Sequence, residues 1–446
     1  MGTSGKHLHN LTRGAAAALA ALAFSCGASA PPARTPPASS APAALGKPAP
    51  PATIDAGSPE VPRALVLDAL AEGDRVADLA AAEVGDRTLL AWVTYYDEGF
   101  ASLRGKGRAR PAAKGSAPDA AKQGASVLVR VLDASGEALG PPKVVSSKGA
   151  SLGGVSLARG ASPREVALAW VGKEAGAGQV FLTKLSDGGE RQAQKMITRS
   201  KGGCSDVALT ASGDGYVVAW VEAKDDGRTE IRAARIAKDL TRVGDERRVV
   251  ETKGETADVR LLSRGEDFWV FWSEAREQGD AGVGVARLTS DLLVRGDPAI
   301  AVASQHRVRG LDVARLGDGV ALAWLEEPAA NQANGAPAAR SLWLTRLDAA
   351  ARSSARAAVP LAADPSAIAL DCDRTCRAVV PAAEGGELAV YGFSFGDAPA
   401  PAARRIVALT GVSTEDTSPV IVRDWLFFAE DNLRGAGRIR KAKLAW

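Results

Sequence analysis

Trp170, Trp220, Trp272 and Trp324 stand 50, 52 and 52 residues apart, each closing a short apolar run: VALAW, YVVAW, FWVFW and VALAW. Self-similarity at a fixed period near 50 residues is the mark of a repeat architecture, in which each unit is one supersecondary motif that needs its neighbours for a core. One unit reads from 205 to 254. SDVALT (205–210), YVVAWVE (216–222), EIRAARIA (230–237) and 245–252 are four short strands, separated by ASGDG, AKDDGRT and a turn at 238–244. Short apolar runs punctuated by Gly, Asp and Ser predict an antiparallel meander. Its second and third strands are apolar on both faces, so each sheet must be covered on both sides. Stacking such sheets around an axis does this and protects their edges, which predicts a β-propeller.

Further units fall at about 152–202, 256–303, 308–363 and 366–410. The first blade places LLAWV (89–93) on its second strand and SVLVRVL (126–132) on its third. A long excursion between them sets Trp92 further ahead of Trp170 than one period. The last unit offers Val420–Arg423, Trp425–Glu430 and Gly437–Leu444 but no fourth strand, while PRALVLD (62–68) is a strand with no unit of its own. We therefore expect a seven-bladed, all-β propeller over 61–446 whose last blade is completed by the N-terminal strand. Six or eight blades are the alternatives, since the sixth unit has no Trp. The residues YVVAWVE, EIRAARI and VGDERRVV resemble β-propeller repeat lipoproteins of Gram-negative bacteria. That resemblance covers roughly 61–446 and specifies a blade, not a ligand.

Residues 1–25 read as an export signal. Lys6 and Arg13 precede a short apolar stretch at 14–24, too short for a spanning helix. Leu22-Ala23-Phe24-Ser25-Cys26 looks like a bacterial lipobox with Leu one position early. That pattern implies diacylation of Cys26 and, with Gly27 following, outer-membrane sorting. A cut after Ala28-Ser29-Ala30 is the rival, and it leaves Pro31 beyond the scissile bond. Residues 26–60 form a Pro/Ala/Ser tether with little to bury. Two of the 55 basic residues lie in the signal, leaving 53 against 52 acids. A body so nearly neutral lacks the basic face that nucleic acid requires.

Two acidic positions recur. Asp78, Asp206, Asp258 and Asp312 open the first strands, ahead of the Trp of the same blade, and Glu222, Glu274, Glu326 and Glu430 close the second strands. Three readings are open. The acids are framework, with Asp bonding loop backbone and Glu meeting the third-strand residues Arg130, Lys184, Arg235, Arg287 and Arg346. Alternatively they form a ring at the channel mouth that takes a structural Ca2+, because hard cations prefer oxygen. Or a pair of them hydrolyses glycosides. Tyr95, Tyr96 and Asp97 open an insert (97–125) rich in Arg and Lys, expected to be a solvated loop. Their aromatic and acidic side chains suit a sugar or peptide, so these three and the four Asp are the candidate ligand-binding residues. Cys372 and Cys376 flank a three-residue turn, close enough for a disulfide in an oxidising compartment. Cys204 is left as a half-buried thiol. His306, alone beyond the signal region, excludes His-based triads and multi-His metal sites. The expectation is a monomeric envelope lipoprotein that binds a protein or glycan, without catalytic residues, metal or cofactor. A carbohydrate-active hydrolase or lyase is the alternative.

Overall fold

A second strand such as GYVVAWVEA is buried residue after residue, so two faces must be covered, and the computed structural model shows what covers them. It describes residues 64–444 except 71–73, 97–124, 147–150, 161, 214, 225, 253, 276–280, 329–338, 385–386, 397–402, 409–411, 414–416 and 432–436. The expected signal, Cys26, the tether and the insert lie outside the described residues.

Seven antiparallel sheets follow one another, and no helix occurs among the described residues. Strand β1 (Leu65–Ala69) is set aside for the last sheet. Blade 1 holds β2 (Asp74–Val84), β3 (Arg87–Tyr96), β4 (Ser126–Leu132) and β5 (Lys143–Val144). Blade 2 holds β6 (Ser151–Arg159), β7 (Val166–Glu174), β8 (Ala177–Leu185) and β9 (Arg191–Met196). Blade 3 holds β10 (Cys204–Ser212), β11 (Gly215–Ala223), β12 (Thr229–Ile236) and β13 (Arg242–Thr252). Blade 4 holds β14 (Glu255–Arg264), β15 (Asp267–Ala275), β16 (Ala281–Leu288) and β17 (Ala299–Ser304). Blade 5 holds β18 (Arg307–Leu316), β19 (Gly319–Glu327), β20 (Ser341–Leu347) and β21 (Ala357–Val359). In blade 6 the first strand is split into β22 (Asp364–Pro365) and β23 (Ala369–Cys372), followed by β24 (Cys376–Glu384), β25 (Glu387–Phe395) and β26 (Arg404–Ala408). Blade 7 has β27 (Val412–Ser413) and β28 (Val420–Val422) on one side of β29 (Trp425–Asp431), then β30 (Gly437–Lys443).

The ring closes as expected. Strand β1 pairs antiparallel with β30, from Leu65 opposite Lys441 to Ala69 opposite Arg438, with a bulge between Val66 and Asp68. Side chains reinforce the seam. Arg130 of blade 1 meets Asp68 at 3.1 Å and donates to the Leu67 carbonyl. Lys441 of blade 7 donates to the Gly136 carbonyl at 2.8 Å. Thr417 donates to the Val76 carbonyl at 3.0 Å.

The tryptophans explain the period. Each faces the preceding blade: Trp170 packs with Val93 and Val129 of blade 1, Trp220 with Ala169 and Leu182 of blade 2, Trp272 with Ala219 and Ile231 of blade 3, and Trp324 with Phe271 and Val283 of blade 4. Trp92 packs on Phe427 and Ile439 of blade 7, so apolar burial as well as pairing closes the ring. The residues between, such as Phe271 and Leu325, face the following blade, as a strand period of two requires. Each indole removes on the order of 200 Å² from water, about 5 kcal/mol of transfer free energy before ordering costs. In blade 4 the residue opposite Trp272 is Gly284, where a Cβ would lie 2.0 Å from the indole. Only glycine leaves room for the ring there.

Blade 6, which has no Trp, is stapled instead. Cys372 and Cys376 form a disulfide across the turn joining β23 and β24. A loop this small constrains the unfolded chain by only about 2 kcal/mol. Reduction of the folded protein is therefore expected to lower its unfolding midpoint by a few degrees at most, measured by thermal melts with and without reductant. Cys204, expected to be half-buried, is fully buried, and burial pushes its thiol up to about 11, which makes it inert.

Candidate functional site: the channel and its loop rim

The first strands line the central channel, and in blades 1 to 5 each carries a bulge near the Trp. Blade 1 bulges between Val76 and Asp78, blade 2 around Gly154, blade 3 between Ser205 and Val207, blade 4 between Ala257 and Arg260, and blade 5 between Arg309 and Asp312. A bulge re-aims side chains, and these bulges place acids in the channel. Asp78, Asp206, Arg260, Asp312 and Ser418 line one cavity of about 250 Å3.

Asp78 and Asp206 do the same thing in alternate blades. Asp78 Oδ1 accepts from the Leu79 N–H at 2.8 Å, and its Oδ2 accepts from the Val155 N–H of blade 2 at 2.7 Å. Asp206 Oδ1 accepts from the Val207 N–H at 2.9 Å, and its Oδ2 from the Val259 N–H of blade 4 at 2.5 Å. Each carboxylate thus ties its own bulge to the next blade. Asp312 reaches the Leu370 N–H of blade 6 at 2.7 Å, but from a different register. It pairs with the residue before Trp324, the position that Arg260 holds in blade 4, while Gly310 occupies the bulge.

The four Asp are therefore not equivalent, which corrects the sequence expectation. Asp258 shares the bulge position of Asp206 but has a left-handed backbone, φ +52°, and accepts from the Ser273 hydroxyl at 3.0 Å instead of a neighbouring blade's N–H. Arg260, which the sequence reading passes over, is the cation at the centre. Its Nε lies 3.4 Å from Asp312 Oδ1, and it donates to the Val259 carbonyl at 3.1 Å. Burial works against its charge, but Asp312, Asp258, Asp206 and Asp78 outweigh that and hold its pKa above the ordinary value. The only signal in the sequence is a basic residue where blades 1, 2 and 3 have Ala80, Ser156 and Ala208.

Burial raises the pKa of Asp78 and Asp312 against their backbone donors and Arg260. Asp206 is pushed up to about 7, by burial first and by the like charges of Asp258 and Asp78 besides, against the pull of Arg260. A carboxyl raised in the fold binds more protons there than in the unfolded chain, so its stabilisation is complete below about pH 4 and is lost as pH rises through about 7. We expect the unfolding midpoint of Asp206→Asn to depend less on pH across that window than that of the parent, which loses stability there. Parallel pH-dependent melts of the two proteins measure this.

The second acidic set meets third-strand arginines at Glu222 and Glu430, as expected in kind, but not the basic residues named from the sequence. Glu274 and Glu326 accept the indole N–H of Trp272 and Trp324 at 3.3 and 3.2 Å. Glu222 meets Arg232 at 3.5 Å, Glu326 meets Arg356 at 2.9 Å, and Glu430 pairs with Arg440. Four of the five third-strand basic residues named from the sequence go elsewhere, because they lie nearer the opposite rim. Arg235 reaches Asp291 of blade 4 at 3.4 Å, Arg287 the Ala349 carbonyl of blade 5 at 3.4 Å, and Lys184 Glu165 at 2.7 Å, while Arg130 joins the seam.

Of the rim residues, Tyr95 and Tyr96 end β3, and Tyr95 is exposed. Asp97 lies outside the described residues. A second cavity, of about 350 Å3, opens at the rim of blades 4 and 5. Asp258, Ser273, Arg307, Arg309, Glu327 and Arg340 line it, and Ser418 is common to it and the channel. Among the described residues, no group of three or more His, Cys, Asp or Glu is placed to hold a metal ion.

The fold and site define a seven-bladed propeller with an acid-and-arginine channel. No protein-family model matches the chain, and no curated protein is similar to it in sequence. Among solved structures it is similar to the GH93 α-L-arabinofuranosidase of Fusarium graminearum in complex with arabinobiose, at 13% identity over 65% of this chain and 92% of that one, with a TM-score of 0.45. It is also similar to hydrazine synthase of Kuenenia stuttgartiensis, at 10% identity over 83% and 96%, TM-score 0.49. A third is a neuraminidase-like protein from A/bat/Guatemala/164/2009, at 9% identity over 77% and 93%, TM-score 0.45. At this distance no substrate or reaction passes to this chain.

Proposed function

We propose that the chain is an exported, lipid-anchored, monomeric propeller of the outer membrane that works as a non-enzymatic binding or scaffolding module, presenting its loop rim to an envelope protein or glycan. The observation that carries this reading is the use made of the channel acids. Both oxygens of Asp78 and of Asp206 are occupied by backbone N–H groups, one from the neighbouring blade in each case. Carboxylates committed to holding blades together are poor candidates for a nucleophile or a proton carrier, whose lone pairs must reach a substrate. Affinity capture from envelope extracts tests the reading. Recovery of one envelope protein or glycan, lost on substituting rim residues such as Tyr95, supports it; turnover of a glycan overturns it. The anchor is tested separately by labelling cells with a radioactive fatty acid. Label should appear on the parent chain and vanish with Cys26→Ala.

One observation favours the carbohydrate-active alternative. Asp78, Asp206 and Asp312 share a cavity with Arg260, and all three carboxyls are raised. Perturbed acids in a cleft are the usual company of acid–base chemistry. If that reading holds, Asp206→Asn abolishes glycan turnover while leaving glycan affinity in place.

A further inference from the structure

We propose that the rim cavity of blades 4 and 5 is a binding site for a small zwitterion of free amino-acid size, with the ligand's ammonium on Asp258 and its carboxylate on Arg340. Its volume, about 350 Å3, lies within the range of small-molecule sites. The charges that line it divide into two kinds. Arg307 is neutralised by Glu255 at 2.6 Å and Arg309 by Glu327 at 2.7 Å. Asp258 and Arg340 have no ion-pair partner among the described residues, and Arg260 feels the charge of Asp258 without contacting it. The Asp258 carboxylate accepts from the Ser273 hydroxyl, and the Arg340 guanidinium donates to the Pro365 carbonyl at 3.2 Å. One cation and one anion therefore face the same enclosure without pairing with each other. A simple cation would leave Arg340 uncompensated, a simple anion would leave Asp258 uncompensated, and a neutral sugar would answer neither. A molecule with both charges satisfies both, and the hydroxyls of Ser273 and Ser418 stand ready for its polar remainder.

The backbone at Asp258 sets this bulge apart from its counterparts. At this bulge, blades 2 and 5 place Gly154 and Gly310, with φ +71° and +58°. Blade 4 adopts the same left-handed conformation with an aspartate, at φ +52°. Besides glycine, Asp and Asn take that conformation at least cost, so the bulge can carry an aspartate facing the cavity where blades 2 and 5 carry no side chain. Among the described residues, Asp258 makes no tie to a neighbouring blade. Scaffolding stands or falls on partner capture, whatever this cavity holds.

Calorimetric titration of the full chain with each of the twenty free L-amino acids, one at a time, tests the site. We expect saturable binding by at least one, with Kd of about 1 mM or tighter. N-acetylation or amidation of that amino acid should each weaken binding about tenfold or more, since each removes one charge. Asp258→Asn and Arg340→Gln should do the same. Asn tolerates the left-handed backbone and keeps an oxygen for Ser273, and Gln keeps a donor for Pro365, so both variants should melt within a few degrees of the parent. Absence of saturation by every amino acid up to about 10 mM would overturn the proposal. So would affinity indifferent to Asp258→Asn and Arg340→Gln in folded protein, or saturable binding of a neutral monosaccharide alone.

Discussion

Removal of residues 65–69 is expected to destabilise the propeller by about 4–6 kcal/mol, at on the order of 1 kcal/mol for each ladder bond lost with a half-buried ion pair added. No other change outside the core should cost as much. Strand β1 contributes the outer edge of blade 7 through paired positions on β30. The pair of Arg130 with Asp68 goes with them, as does the bond from Arg130 to the Leu67 carbonyl. Stripped of β1, β30 would offer its edge to other copies of the chain, so aggregation should accompany the loss. The side chains of Leu65 and Val66 are 59% and 46% exposed, so the strand acts through its backbone. Leu65→Asn and Val66→Asn are accordingly expected to change stability by less than about 1 kcal/mol, whereas Val66→Pro, which removes an N–H and twists the strand, should approach the deletion. Chemical denaturation of the four variants measures all of this. A deletion no worse than the two Asn substitutions would mean that closure at this seam does not hold the ring.

What can be read from the sequence and what cannot divide along physical lines. The Trp period is legible because it is set by a constraint that blades 1 to 5 share: one indole each, on the face toward the preceding blade. Ring closure is legible because the last unit lacks a strand and 62–68 has none to join. The channel is not legible at the level of single residues, since its geometry turns on bulges. One extra residue sends a side chain to the other face, and the bulges differ between blades 1, 4 and 5. Asp312 shows the failure. It stands two positions closer to Trp324 than Asp78, Asp206 and Asp258 stand to Trp92, Trp220 and Trp272. That offset is the one sign that it sits further along its strand. Arg260 shows only as a break in the small residues that blades 1 to 3 have at this position, because a single basic residue on a strand has no periodic signature. The third-strand arginines meet other partners than expected because alternation gives a side chain's face but not which rim it leans toward. The rim cavity draws residues from four blades, so no window of sequence contains it.

The indole N–H groups give the second large effect. Trp324 is fully buried at the interface of blades 4 and 5. Trp324→Ala is expected to cost about 3–5 kcal/mol, as large-to-small changes in a packed interface do. Truncation to Phe separates packing from hydrogen bonding, because the five interface tryptophans are not alike. Trp272 and Trp324 donate to Glu274 and Glu326, and Trp170 donates to Thr183 at 3.0 Å, whereas the indole nitrogens of Trp92 and Trp220 have no partner among the described residues. Replacement by Phe at 92 or 220 removes a buried donor that satisfied nothing, so only the lost volume counts. At 272 or 324 it takes a donor from a buried carboxylate, which adds about 1–2 kcal/mol. Trp324→Phe combined with Glu326→Gln should recover part of that difference, since a neutral amide tolerates burial better than a carboxylate. At Trp324 the loss is tempered by Arg356, 2.9 Å from Glu326, so Trp324→Phe together with Arg356→Ala should cost more than the sum of the two alone. Equal losses at positions 220 and 324, measured by urea unfolding, would show that the Trp–Glu bonds contribute nothing and that the repeat preserves the ring only for its volume.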